Sequence, residues 1–242
     1  MSGNQGPTRF QPLYHQVKEH LIQRIVEGAW LPGSVLPSES QLAVELGVSQ
    51  GTVRKALDEM TAERVVVRRQ GRGTYVAEHT QEQALFHFFR LADRDGVAPT
   101  PSSEVIRLSE RPATDRETSK LGISDGVLVS EIVRVRRMAG EPVVLEKIVL
   151  SQADFPDIAA EKRLPNTLYT LYQSRYGFSV LKAKESIKAV LASDEDVLLL
   201  GVGPGSPLLQ IERIAFSIDG RPIELRQSRC VTDYYTYQVE LT

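Results

Sequence analysis

The sequence predicts an α+β protein in two parts: three short helices with a two-stranded wing, then a mostly antiparallel sheet with a few helices packed on it. Three observations carry this. Capped apolar stripes at helical spacing occupy residues 12–62. Two Val-rich runs flank a glycine-bearing turn at 65–76. From about residue 84 onward, Val- and Ile-rich runs separated by tight-turn signals replace the helical pattern.

The first helix is expected to start at Pro12, a good first-turn residue, with Leu13, Val17, Leu21 and Ile25 as its stripe. Gly28 ends it, and Trp30-Leu31-Pro32-Gly33 makes the turn. Ser38 caps the second helix with Gln41 as its capping-box partner, and Leu42, Ala43 and Leu46 form the apolar side. Gly47 supplies the left-handed residue of a tight helix–helix turn. Ser49 caps the third helix, whose Val53, Ala56, Leu57 and Met60 recur at i, i+3, i+4 and i+7. Gln50, Gly51, Thr52, Arg54 and Lys55 are left on or near its open face. Residues 65–68 and 74–76 then read as two strands of a wing.

In a helix-turn-helix those open positions meet base edges and phosphates in the major groove, and the wing brings backbone amides and Arg72 to the adjacent backbone. A three-helix packing module would explain the apolar face, but not the polar residues and arginine beside a basic wing.

Bulk composition bounds the rest. A length of 242 residues suits one large domain or two small ones, and 41% hydrophobic with 25% charged residues is ordinary for a chain with a core. No apolar run is long enough to span a bilayer, and residues 1–12 lack the apolar stretch of a secretory signal. The lone Cys230 agrees with a reducing cytoplasm. His15, His20, His79 and His87 are scattered, with no His/Cys ligand spacing, so neither a metal nor another cofactor is expected. The formal net charge is −2, yet Arg54, Lys55, Arg64, Arg68, Arg69 and Arg72 cluster in one stretch, against Asp58, Glu59 and Glu63. A local positive patch is what binding a polyanion through one face requires.

Residues 12–77 resemble the winged-helix domain of the GntR family of bacterial transcription regulators. The resemblance rests on Leu-Pro-Ser-Glu from Leu36, Gly-Val-Ser from Gly47, Thr-Val-Arg-Lys-Ala-Leu from Thr52, and Arg-Gln-Gly-Arg-Gly-Thr-Tyr-Val from Arg69. It implies a DNA-contacting set of Ser38, Ser40, Ser49, Gln50, Gly51, Thr52, Arg54, Lys55, Arg68, Gln70, Gly71 and Arg72. Two positions depart from the family: Ser40 and Gln50 stand where arginine is usual. Arginine grips guanine bidentately and glutamine suits adenine, so a half-site with adenine at that step is expected, unless Gln50 touches only phosphate.

Residues 78–83 read as a linker and 84–91 as a buried strand. Further strands are expected at 103–109, 126–138, 142–150, 185–191, 207–218 and 222–232, with helices at 116–121, 167–176 and 194–200. Ala139-Gly140-Glu141-Pro142 and Asp219-Gly220-Arg221-Pro222 are hairpin signals. Arg134 and Arg136 fall on one strand face. Two guanidinium groups side by side are costly unless that face is solvated or meets an anion, and both options are open here.

Residues 84–242 are similar to the UTRA effector domain of HutC-type GntR regulators, whose fold is shared with chorismate lyase. The resemblance implies a cleft in which Arg134 and Arg136 bind an anionic group such as phosphate or carboxylate. By the same resemblance Ser102 and Ser103 would add donors, Glu146 and Glu224 would accept hydrogen bonds, and Thr167 and Tyr169 would complete the anion pocket beside Arg226. Each carboxylate has a plain alternative as an ion-pair partner of Arg226 or Arg229. No catalytic residues are expected: an acid/base pair tuned near neutrality, an activated nucleophile and a metal are all lacking in the cleft strands. The expectation is a cytoplasmic homodimer that binds a near-palindromic double-stranded DNA operator, weakened by Arg54→Ala, and responds to a small anionic metabolite, probed first by a thermal-shift screen of the wild type and Arg134→Ala. A ligand-binding protein with vestigial DNA binding is the alternative.

Overall fold

A computed structural model describes residues 11–78, 89–97, 100–161 and 163–239. The chain forms two compact units that divide between Glu78 and His79. The expected linker at 79–83 and the apolar run at 84–88, with His79 and His87, lie outside the described residues.

The first unit contains α1 (Leu13–Val26), α2 (Glu39–Leu46) and α3 (Gln50–Ala62), followed by β1 (Val66–Arg69) and β2 (Gly73–Val76). Pro12 stands just outside the first turn of α1, as its N-terminal flanking residue. Val17, Leu21 and Ile25 are buried, but Leu13 is 52% exposed. A helical side chain covers the turn N-terminal to its own Cα, which for the first residue lies beyond the packed length of the helix. Ser38 Oγ accepts the Gln41 amide while the Ser38 amide donates to Gln41 Oε1, completing the capping box. Gly47 adopts φ +63°, and Ser49 Oγ accepts the Thr52 amide at 3.1 Å. Val53, Ala56, Leu57 and Met60 are the buried residues of α3. β1 and β2 pair antiparallel around Gly71, β1 lying one residue later and β2 beginning one residue earlier than expected, and Val35 bridges to Tyr75 on β2's other edge.

The second unit is built on β3 (Leu91–Ala92), β4 (Ser102–Pro112), α4 (Asp115–Leu121), β5 (Leu128–Met138), β6 (Glu141–Ser151), α5 (Leu168–Tyr176), β7 (Val180–Leu191), α6 (Asp194–Leu200), β8 (Pro207–Ser217), β9 (Pro222–Cys230) and β10 (Thr236–Tyr237). Six strands form one antiparallel sheet in the order β4-β5-β6-β9-β8-β7, and β3 pairs separately with β10. The order strand, helix, strand, hairpin, strand occurs twice, as β4-α4-β5-β6 and β7-α6-β8-β9, with β6 and β9 joining the halves.

Alternation of side chains sorts the sheet into two covered faces. Ile132, Ile148 and Ala215 pack with Leu168, Tyr169 and Tyr172 of α5, while Val133, Val135 and Leu145 pack with Leu200 of α6. Val129, Val149 and Leu225 pack with Leu121 at the end of α4. Arg134 and Arg136 follow Ile132 on the α5 face, so they are buried (1% and 3% exposed) rather than solvated. β7 begins five residues before its expected start because Lys182 and Lys184 mask the alternation. Lysines on an edge strand are what keeps such an edge unpaired.

Candidate functional site

In the first unit the open face of α3 and the wing present the expected DNA-contacting side chains, though several already have internal work. Ser38 and Ser49 are committed as helix caps, and Ser40 Oγ lies 3.1 Å from Ser38 Oγ. Thr52 Oγ1 shares a hydrogen bond with Ser49 Oγ at 2.9 Å. Lys55 Nζ sits 3.9 Å from the centre of the Tyr14 ring, so α1 braces it through a cation–π contact. Gln50, Gly51, Arg54, Arg68, Gln70, Gly71 and Arg72 are exposed. Gly71 at φ +69° is the left-handed residue that closes the wing.

Sequence reasoning missed Glu39 on this face. Its carboxylate accepts from Arg54 Nε at 2.9 Å and from Arg68 Nη2 at 3.2 Å. Its position directly after the Ser38 cap was the available signal, since carboxylates are favoured in a first helical turn.

The second unit has a cavity open to solvent, about 570 Å³ of empty space. Its floor is Arg134, Arg136, Glu146, Arg213, Arg226, Ser228 and Cys230 from β5, β6, β8 and β9. Thr167, Leu168 and Tyr169, where α5 opens, form one wall; Phe89, Leu91 and Tyr237 form another.

The floor is a ladder of buried charges. Arg134 Nε donates to Glu146 Oε2 at 2.5 Å, and Arg226 Nη1 to Glu146 Oε1 at 3.3 Å. Arg226 also grips Glu224 bidentately at 3.0 and 2.8 Å. Glu224 further accepts from the Tyr169 and Tyr172 hydroxyls at 3.1 and 2.7 Å. Burial works against ionisation of Glu146, and Arg134, Arg226 and Arg136 overcome it, holding its carboxyl far below the usual range. Burial disfavours the Arg226 charge as well, but Glu224 and Glu146 push that guanidinium well above its ordinary value.

Arg136 differs. Burial, helped by the repulsion of Arg134, Arg226 and Arg213 and only partly offset by Glu146, brings it down to about 10. Its Nη2 donates to Asn166 Oδ1 at 3.2 Å, and Asn166 Nδ2 in turn donates to the Pro101 carbonyl at 2.6 Å. The Phe89 ring lies 5.0 Å from its guanidinium. Among the described residues, Arg134 Nη2, Arg136 Nε and Thr167 Oγ1 are buried without a hydrogen-bond partner, and all three residues line the cavity. Buried polar atoms left unpaired are costly, and these three belong to residues that line one cavity.

Two expectations are corrected. Ser102 and Ser103 are not among the residues that line the cavity: they open β4 opposite Arg137 and Arg136, and the preceding Pro101 carbonyl holds Asn166. Glu224 is fully buried behind Tyr169 and Tyr172, where its lone pairs are already occupied, so it supports the floor rather than facing a ligand. The plain alternative for both carboxylates holds through Arg226, which pairs with Glu146 and Glu224, while Arg229 meets Asp196 and Ser193 at the start of α6. Asn166, Phe89 and Arg213 were missed, because nothing in their local pattern reveals a contact across the sheet.

Comparison with known proteins agrees with this two-part arrangement. Residues 13–76 match the family described as bacterial regulatory proteins, gntR family, and residues 99–236 match the UTRA domain. The histidine utilization repressor of Pseudomonas putida is 35% identical over 214 residues, 88% of this chain and 84% of that one. A mannosyl-D-glycerate transport/metabolism system repressor of Escherichia coli K12 is 29% identical over 231 residues, 94% of this chain and 95% of that one. The ligand-binding domain of a GntR-family transcriptional regulator from Bordetella bronchiseptica superposes with a TM-score of 0.59 at 32% identity, covering 64% of this chain and 98% of that one. The capped helices, the basic wing and the charged cavity therefore belong together: this chain is a member of the GntR family of bacterial regulatory proteins, a DNA-binding transcriptional regulator whose second unit is a UTRA domain.

Proposed function

We propose that this regulator is a cytoplasmic repressor that holds a near-palindromic operator as a homodimer and lets it go when a small anionic metabolite occupies the cavity of the second unit. The relatives named above are repressors, which supports the sign of the response. One recognition helix per half-site, with half-sites about one helical turn apart, is the geometry such a dimer uses. In the described residues no helix is long and apolar enough to cross a membrane.

The observation that carries the ligand class is the trio of unpaired atoms on Arg134, Arg136 and Thr167. Charge points the same way. Arg90, Arg134, Arg136, Arg213 and Arg226 line the cavity with Glu146, while Glu185 and Glu224 pair with Arg213 and Arg226, so five cations against three anions leave positive charge for an anionic ligand. The start of α5 adds a favourable dipole for that charge, and Thr167, which makes no cap hydrogen bond, is left to donate. Val144, Ile211 and Leu168 give the remainder of the ligand an apolar surface. Binding rather than turnover fits the reactive groups present. Burial pushes the Cys230 thiol up and the Tyr169 phenol up to about 12, so both stay protonated at neutral pH.

A thermal-shift screen of the full chain against monocarboxylates, dicarboxylates and sugar phosphates tests this reading. A ligand at a hundred times its Kd stabilises by roughly 2.7 kcal/mol, on the order of 5–10 °C for a domain of this size. The shift is expected with one of these anions and is lost in Arg136→Met, which leaves the hydrogen bonds among Arg134, Glu146, Arg226 and Glu224 in place. A full shift retained in that variant places the ligand elsewhere.

A further inference from the structure

We propose that Glu39 is a specificity-determining positioning residue of the DNA interface: its carboxylate fixes Arg54 and Arg68 in one arrangement and repels phosphate, so that the face discriminates against random sequence. This rests on the reading that α3 and the wing meet the duplex. Glu39 is the first residue of α2, and its side chain is 22% exposed, against 58% for Arg54 and 39% for Arg68. One carboxylate therefore sits behind two outward-reaching guanidinium groups. Oε2 takes Arg54 Nε at 2.9 Å, with Gln50 Nε2 at 3.5 Å from the same oxygen, and Oε1 takes Arg68 Nη2 at 3.2 Å. Arg68 Nη1 is held from its other side by Asp58 at 2.6 Å. Three elements are tied through one group: α2, α3 and β1.

Two consequences follow from elementary electrostatics and entropy. Among the described residues Arg54 is gripped through Nε alone, which leaves its outer edge, Nη1 and Nη2, for a bidentate acceptor. Ordering a long side chain before encounter lowers the entropy lost on binding, which favours a duplex that matches the preset geometry. The carboxylate also offsets the two guanidinium charges at longer range. Non-specific binding is almost wholly phosphate electrostatics, whereas base readout depends on placement, so the negative charge weakens the first more than the second.

The test measures equilibrium binding of the full chain to two duplexes of equal length over a salt series. One duplex is recovered from a random pool by selection with the wild-type chain; the other is its scrambled sequence. Glu39→Gln is expected to bind the scrambled duplex several-fold more tightly, with a log–log salt slope steeper by about 0.9 for each guanidinium freed to meet a phosphate. Its preference for the selected duplex falls about tenfold, within the range that one bidentate base contact discriminates. Glu39→Asp keeps the charge but cannot span both arginines, so it weakens only the selected duplex; this variant decides alone if thermal unfolding shows Glu39→Gln to be misfolded. An unchanged preference in the folded variants overturns the role of Glu39 while leaving the interface intact. A wild-type chain that selects no sequence overturns the interface itself, and this inference with it.

Discussion

Glu146 is held ionised in the interior by guanidinium groups from two neighbouring strands, Arg134 on β5 and Arg226 on β9. Taking such charges out of water is unfavourable, and removing one partner leaves the others uncompensated. Glu146→Gln is therefore expected to destabilise the second unit by about 3–5 kcal/mol, read by chemical denaturation. The pH dependence has a definite sign. The folded carboxyl lies below the unfolded value near 4.5, so its contribution is complete above that value and is lost as the pH falls below it. Acid unfolding of the wild type should begin near pH 4.5 and lose part of its steepness in Glu146→Gln; equal steepness in both would assign the acid sensitivity to other carboxylates, such as Glu117 and Glu131.

At the scale of elements, the two hairpins β5–β6 and β8–β9 are the visible trace of the repeated strand–helix–strand–strand order, and their turns were legible in the sequence. The β5–β6 turn has two residues, Ala139 at φ 51° and Gly140 at φ 90°. Both positive angles match the twist of a two-residue hairpin, but alanine adopts its angle at a cost. Ala139→Gly is expected to stabilise the unit by up to about 1 kcal/mol, the relieved strain less the extra freedom of glycine when unfolded. A drop in the melting midpoint would contradict this reading. Helix caps were legible for the same local reason: Ser38 and Ser49 each announce a helix start within four residues of sequence. What was not legible is what crosses the sheet. Strand alternation puts Arg134 and Arg136 on one face, but whether that face is wet or covered depends on α5, which arrives some thirty residues later. The same distance hides Asn166, whose side chain links Arg136 to Pro101, and it made Ser102 and Ser103 look closer to the ligand than they are.

At the scale of the whole molecule, the chain carries a net charge of −2, yet the first unit gathers arginines on an exposed face and the second gathers them in a cavity. Two binding events in two separate units constitute regulation only if they exchange free energy, and that exchange is reciprocal. If the effector weakens operator binding by some factor, saturating operator must weaken effector binding by the same factor, typically between about 5 and 150. Effector affinity is therefore expected to fall when titrated against the chain preloaded with its selected duplex, by the same ratio that operator affinity falls in saturating effector. Arg136→Met should remove both changes together, since it abolishes only the ligand arm, whereas Arg54→Ala should weaken operator binding and leave effector affinity for the free chain unchanged. Unequal ratios would mean that the ligand acts by some route other than an equilibrium between two states of one dimer, for example by changing the dimer itself, which a dependence on protein concentration would expose.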